Sequence, residues 1–186
     1  MRVNQILLVP EFYGTGKDGN VWGNHNQKDV VRGYLQTLQE HIEENRHDCS
    51  IFQEGDTILP NTLIVCLSAG WGKAESRSRL NGHSVVYGDD NSLEFAELMA
   101  ETLGEWAKNY VNYHHKMATP ARESKNPFLS VKDTIGISVS PFKLNGPNSE
   151  DYVRWLPKLG QLMADCIYEY LLHRGERPRM ANVNYR

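Results

Sequence analysis

The sequence predicts an α/β fold: a single layered domain whose mostly parallel, twisted sheet is flanked by helices. Three observations predict it. Apolar patterning along the chain gives the order strand, helix, strands, helix, strands, helix, which suits right-handed crossovers between parallel strands. The run Thr62–Leu67 (TLIVCL) is continuously apolar and β-branched, as a central strand covered on both faces must be. Three longer segments repeat apolar residues at spacings of three and four, the period of a helix with one buried face. At 186 residues the chain fits one domain with a sizeable core, assigned to residues 1–175, followed by a polar tail over 176–186. No internal repeat or second domain is evident.

Val3 to Val9 is a largely apolar run ended by Pro10, a buried strand. The glycine-rich loop that follows, YGTGKDGNVWGN, has neither the Lys-Ser/Thr pair of a phosphate loop nor dinucleotide glycine spacing. A first helix is predicted over roughly His25 to Arg46, with Val31, Tyr34, Leu35, Leu38 and Ile42 on its buried face. Cys49 to Phe52 reads as a short second strand, and Ser68 to Asn81 as a long loop. Ser84 to Tyr87 is a short strand. Asn91 with Glu94 makes a capping box for a second helix, whose stripe is Phe95, Met99, Leu103, Trp106 and Tyr110. A stripe of this kind is core packing and not a cofactor box. His115 to Asn126 reads as a loop, Phe128 to Val131 and Thr134 to Val139 as strands. The last helix starts near Ser149, a hydroxyl cap, and buries Tyr152, Leu156, Leu159, Met163, Ile167 and Leu171. Pro157 starts a new segment or kinks it, and Gly175 stops it.

A formal charge of -3 and a pI near 6.2 argue against a nucleic-acid partner, which wants a basic face. No apolar stretch approaches the roughly 18 residues of a membrane helix. The start, MRVNQILLVPEF, reads as a strand and not a signal peptide, so synthesis and folding in the cytoplasm are expected. Three cysteines, Cys49, Cys66 and Cys166, show no metal-binding spacing and read as structural thiols. Of the seven histidines, His41, His47 and His173 read as surface residues and the pair His114, His115 as a frayed helix end.

Five short motifs then follow in order. The strand ILLVP runs into EFYG. Gln27-Lys28-Asp29-Val30-Val31 opens the first helix. The central strand ends in Cys66-Leu67-Ser68-Ala69-Gly70. Gly82-His83-Ser84-Val85-Val86-Tyr87 leads toward a long helix, and Ser138-Val139-Ser140-Pro141-Phe142-Lys143-Leu144-Asn145 leads toward the last one. In order and spacing, over about residues 5–172, this layout resembles the zinc-dependent N-acetylmuramoyl-L-alanine amidases, the cell-wall amidase family. The resemblance implies a metal-binding His at Phe12, a metal-binding Glu at Gln27, a metal-binding His at Ser68 and a catalytic Glu at Val139. A catalytic zinc takes three N, O or S donors and an open position for water. Phe12 and Val139 donate nothing, while Gln27 and Ser68 offer neutral oxygens that compete poorly with water. Without a metal, water is not acidified. Without a carboxylate at Val139 no proton is shuttled, a loss of about 10²–10⁴-fold.

The expectation is therefore an amidase-like fold with a degenerate site, no cofactor and no catalysis. Two forms of that expectation stand. One is a structural subunit in a homo- or hetero-oligomeric assembly, such as a virion. The other is a peptidoglycan-binding module that stacks sugars on Trp22, Trp71 and Tyr87, although loop tryptophans serve equally as lid packing. Glu11, His25, Trp71, His83 and Asn145 are the candidate ligand-binding residues. Glu11, His25 and His83 would also be the donors if a zinc site had moved and amidase activity survived. A rival enzyme reading is a small serine hydrolase. Ser68 at the end of its strand resembles a nucleophile elbow, with Asp90 and His114 or His115 as later triad members.

Overall fold

The first apolar run forms β1 (Gln5–Glu11), followed by a two-residue ribbon pair, β2 (Val21–Trp22) and β3 (His25–Asn26), and by α1 (Gln27–Glu44). After these come β4 (Cys49–Ile51), β5 (Thr62–Ser68), β6 (Ser84–Tyr87), α2 (Leu93–Ala107), β7 (Thr119–Pro120), β8 (Ile135–Ser140), α3 (Ser149–Arg154) and α4 (Leu156–His173). The computed structural model describes residues 2–11, 21–22, 25–45, 47–69, 82–107, 117–121, 126–145 and 149–175. The six-stranded sheet runs β4-β1-β5-β8-β6-β7. β4, β1, β5 and β8 are mutually parallel, and β6 turns antiparallel against β8.

Strand alternation sorts the apolar residues onto two faces. Ile6, Leu8, Leu63, Val65, Leu67, Ile135, Ile137 and Val139 join the buried faces of α1, α2 and α4 in the main core. Leu7, Val9, Ile64 and Cys66 point the other way, under Phe52, Ile58, Phe128 and Val131. Every residue of β5 is buried, the reason its sequence shows no polar alternation. Each large aliphatic side chain fully withdrawn from water contributes about 1.5–3 kcal/mol. The predicted stripes of the first and last helices are buried throughout. α1 and α4 cross closely at Gly160, where an added Cβ would lie 2.8 Å from the Tyr34 carbonyl oxygen and 2.9 Å from the Thr37 Cβ.

Several local expectations are corrected. Phe128–Val131 is not a strand: Pro127–Ser130 is a 3₁₀ turn, capped by the Asn126 side chain, which accepts from the Phe128 N–H at 2.9 Å. Its β-rich composition reflects burial against the second face, which a turn achieves as well as a strand. The second helix is preceded by a 3₁₀ turn, Asp90–Ser92, whose cap is Asp89 and not Asn91. The Ser92 hydroxyl donates to Asp89 and accepts from the Gly136 N–H at 3.0 Å, tying the helix entry to β8. Thr119–Pro120, read as loop, adds an edge strand to β6, where a proline is tolerated. α1 begins at Gln27 because Asn26 caps it, accepting from the Asp29 N–H at 2.8 Å. His47 is half-buried with its ring edge-on to Tyr168, 6.1 Å between centroids, and is not a surface helix residue. The final helix breaks at Trp155, with Pro157 in the first turn of α4, and Gly175 takes the left-handed conformation (φ 72°) that ends it. Tyr110, the loop over 70–81, and the tail over 176–186 lie outside the described residues.

Candidate functional site

In a parallel sheet the carboxyl ends of the strands form the crevice where ligands bind. Here that rim is made by the ends of β1, β5 and β8. Glu11 pairs with Ser68, Leu67 with Val139, and Ser140 with Ser84 at the start of β6. The first turn of α1 reaches the same rim, because its first residue, Gln27, meets the segment leaving β5.

Gln27 is fully buried, and its side-chain Nε2 donates to the Ala69 carbonyl oxygen. A carbonyl only accepts, so the amide must present its N–H there. Ser68, one residue earlier, is also buried. Val139 is fully buried and belongs to the helix-side core. Ser68 shares strand parity with Ile64 and Cys66, whereas Val139 shares it with Ile135 and Ile137. The pleat thus sets these two side chains on opposite faces of the sheet. Phe12 and Trp71 lie outside the described residues.

On the second face, the half-buried Glu11 carboxylate accepts from the Ser138 hydroxyl at 2.7 Å and from the Asn126 amide. Asn126 also hydrogen-bonds the Cys66 side chain. Burial, and next the Glu11 charge, push the Cys66 thiol far above its ordinary range, with the Asn126 bond opposing them. Sequence reasoning missed Asn126 and Ser138. Strand parity was the available signal for Ser138, since a serine neighbouring buried Val139 on the strand must face the other way. Nothing local marked Asn126, which is 115 residues from Glu11.

His83 is fully buried just before β6, His25 lies half-buried on the ribbon, and Asn145 is buried in the turn after β8. Nearby Phe142 stacks on Tyr152, 4.9 Å between centroids. Among the described residues no three His, Cys, Asp or Glu side chains are grouped as metal ligands, so Glu11, His25 and His83 do not form the relocated site. The serine-hydrolase arrangement also fails. Asp90 follows the far end of β6 and lines an open cavity of about 920 Å³ with residues preceding β8, a strand length from Ser68. His114 and His115 lie outside the described residues. Tyr87 likewise ends β6 away from the rim, half-buried against the core, and is no rim platform. Trp22 stands in β2.

No protein-family model and no curated protein sequence matches the chain. Solved structures do. The CwlD amidase from Clostridioides difficile, solved in complex with the GerS lipoprotein, superposes with a TM-score of 0.73 at 14% identity, over 91% of this chain and 100% of that one. The chain has the fold of the N-acetylmuramoyl-L-alanine amidases. The AmiC2 amidase of Nostoc punctiforme gives a TM-score of 0.69 at 16% identity, over 92% of this chain and 99% of that one. The Ami1 amidase of Mycobacterium smegmatis gives 0.67 at 11%, over 92% and 98%.

The resemblance implies a zinc ion at this rim, and the described residues at the implied ligand positions do not fit one. Gln27 turns a proton donor toward Ala69, and Ser68 supplies a neutral hydroxyl; Val139, at the position implied for the catalytic carboxylate, is buried in the apolar main core.

Proposed function

We propose that this chain is an amidase-fold protein without amidase catalysis, acting as a structural or assembly subunit or as a peptidoglycan-binding module. The observation that carries the reading is Gln27, buried and hydrogen-bonded as a donor at the position that the resemblance assigns to a metal-binding carboxylate. The fold is that of proteins that cut cell-wall amide bonds, which supports peptidoglycan as the ligand class. One neighbour of this fold is a complex with a lipoprotein, which supports a protein partner. A multi-chain assembly such as a virion is the setting proposed for the structural form.

Dye release from labelled cell wall tests the first half. Purified protein, with or without added zinc, should release no more dye than buffer. Release abolished by a chelator would overturn the reading. Co-sedimentation with insoluble cell wall separates the two forms: pelleting supports the binding module, and retention in the supernatant supports the assembly subunit. Light scattering after size exclusion then reports whether the subunit associates with itself.

A further inference from the structure

We infer that Gln27 is a tether that fixes the first turn of α1 to the exit of β5, and that the rim has been rebuilt around a neutral donor which excludes a cation. The inference rests on the non-catalytic reading and gives it a physical cause. Three observations converge. Gln27 is the first residue of α1 and fully buried. Its Nε2 donates to the Ala69 carbonyl, immediately after the last residue of β5. Around it the α1 entry is already fixed by the Asn26 cap, and Val30 and Val31 are buried in the main core.

A carboxylate in the same place cannot make this bond. An ionised Glu has no proton to donate and would set its charge against the lone pairs of the Ala69 carbonyl in a site closed to water. A protonated Glu can donate its O–H to the same carbonyl. A Glu at 27 would therefore have its carboxyl pKa raised in the folded state above the ordinary value of about 4.3. The sign follows: stability is retained below the unfolded value and lost as pH climbs through the folded one. The position thus prefers a neutral donor, the opposite of what a metal ligand supplies.

The test compares melting temperatures of the full chain and two variants between pH 4.5 and 8, in chelator and in added zinc. Gln27→Glu should melt about 10 °C below the parent at pH 7.5, with the gap closing toward pH 4.5. Gln27→Met, which fills the volume without a donor, should melt about 3–5 °C below the parent by a margin that does not change with pH. If Gln27→Glu is unfolded at pH 7.5, its refolding on acidification gives the same support. Gln27→Met melting with the parent would overturn the tether. So would a Gln27→Glu gap that is independent of pH. Zinc that restores Gln27→Glu to the parent's melting temperature would overturn the exclusion of a cation. Dye release by the parent in the cell-wall assay would sink the non-catalytic reading and leave these comparisons standing, so the two failures are distinguishable.

Discussion

The two faces of the sheet meet the same rim and treat polarity in opposite ways. On the helix-covered face, Gln27 and Val139 are fully buried and uncharged, and the rim merges with the main core. On the second face, Glu11 keeps a carboxylate, half-buried and held by Ser138 and Asn126. The difference follows from cover. Helices close the first face, where a charge would face a large desolvation penalty, while turns and single aromatics cover the second and leave Glu11 partly in water. The rim therefore still carries an acid, but on the side away from Val139, held by the neutral donors Ser138 and Asn126.

The most severe way to break this contrast is to put a charge on the dry face. Val139→Glu restores the carboxylate that the resemblance implies, and should cost about 4 kcal/mol because it would place a charge in the apolar main core. Denaturant unfolding at pH 7 measures it, and an unchanged midpoint would show that the face is wetter than its packing implies. Next is Gly160→Ala. Its Cβ would press on the Tyr34 carbonyl, forcing α1 away from α4 and loosening the Gln27 end, at a cost of about 2 kcal/mol by the same measurement. On the wet face, Glu11→Gln weakens two charge-assisted bonds but keeps an acceptor, so about 1 kcal/mol is expected. A loss larger than that from Val139→Glu would invert the comparison.

The thiols give the smallest effect near neutrality. Burial pushes Cys49 and Cys166 up to about 12, so both should react slowly with a disulfide reagent at pH 8 in the folded protein and promptly on unfolding. The stability sign follows from the raised values. Their contribution is intact below the ordinary thiol value of 9.0 and is lost as pH rises from there toward 12, which a melting series in alkaline buffers reads directly.

Much of the architecture was legible because it follows from periodicity. The stripes of α1 and α4, the all-apolar β5 and the bounds of Ser84–Tyr87 each express a local rule that a single sequence carries. The errors fell where composition underdetermines geometry. Phe128 and Leu129 are as apolar in a 3₁₀ turn as in a strand, and an isolated Thr-Pro pair pairs with β6 only because the chain returns there. At the rim, the sequence named Gln27, Ser68 and Val139. It did not reveal that the pleat parts Ser68 from Val139, or that Glu11 is claimed by Ser138 and by an asparagine far along the chain.

The sequence by itself determined which residue types stand at the rim and that the layers are α/β, since side-chain chemistry and the helical and strand periods are properties of neighbouring residues. Only the tertiary structure decided what those residues do. Gln27 could have offered oxygen or N–H, Glu11 could have faced solvent or partners, and Asp90 could have stood beside Ser68 or a strand length away. Strand register and the helix crossing settle each of these, because hydrogen bonds and burial depend on positions that residues distant in sequence bring together.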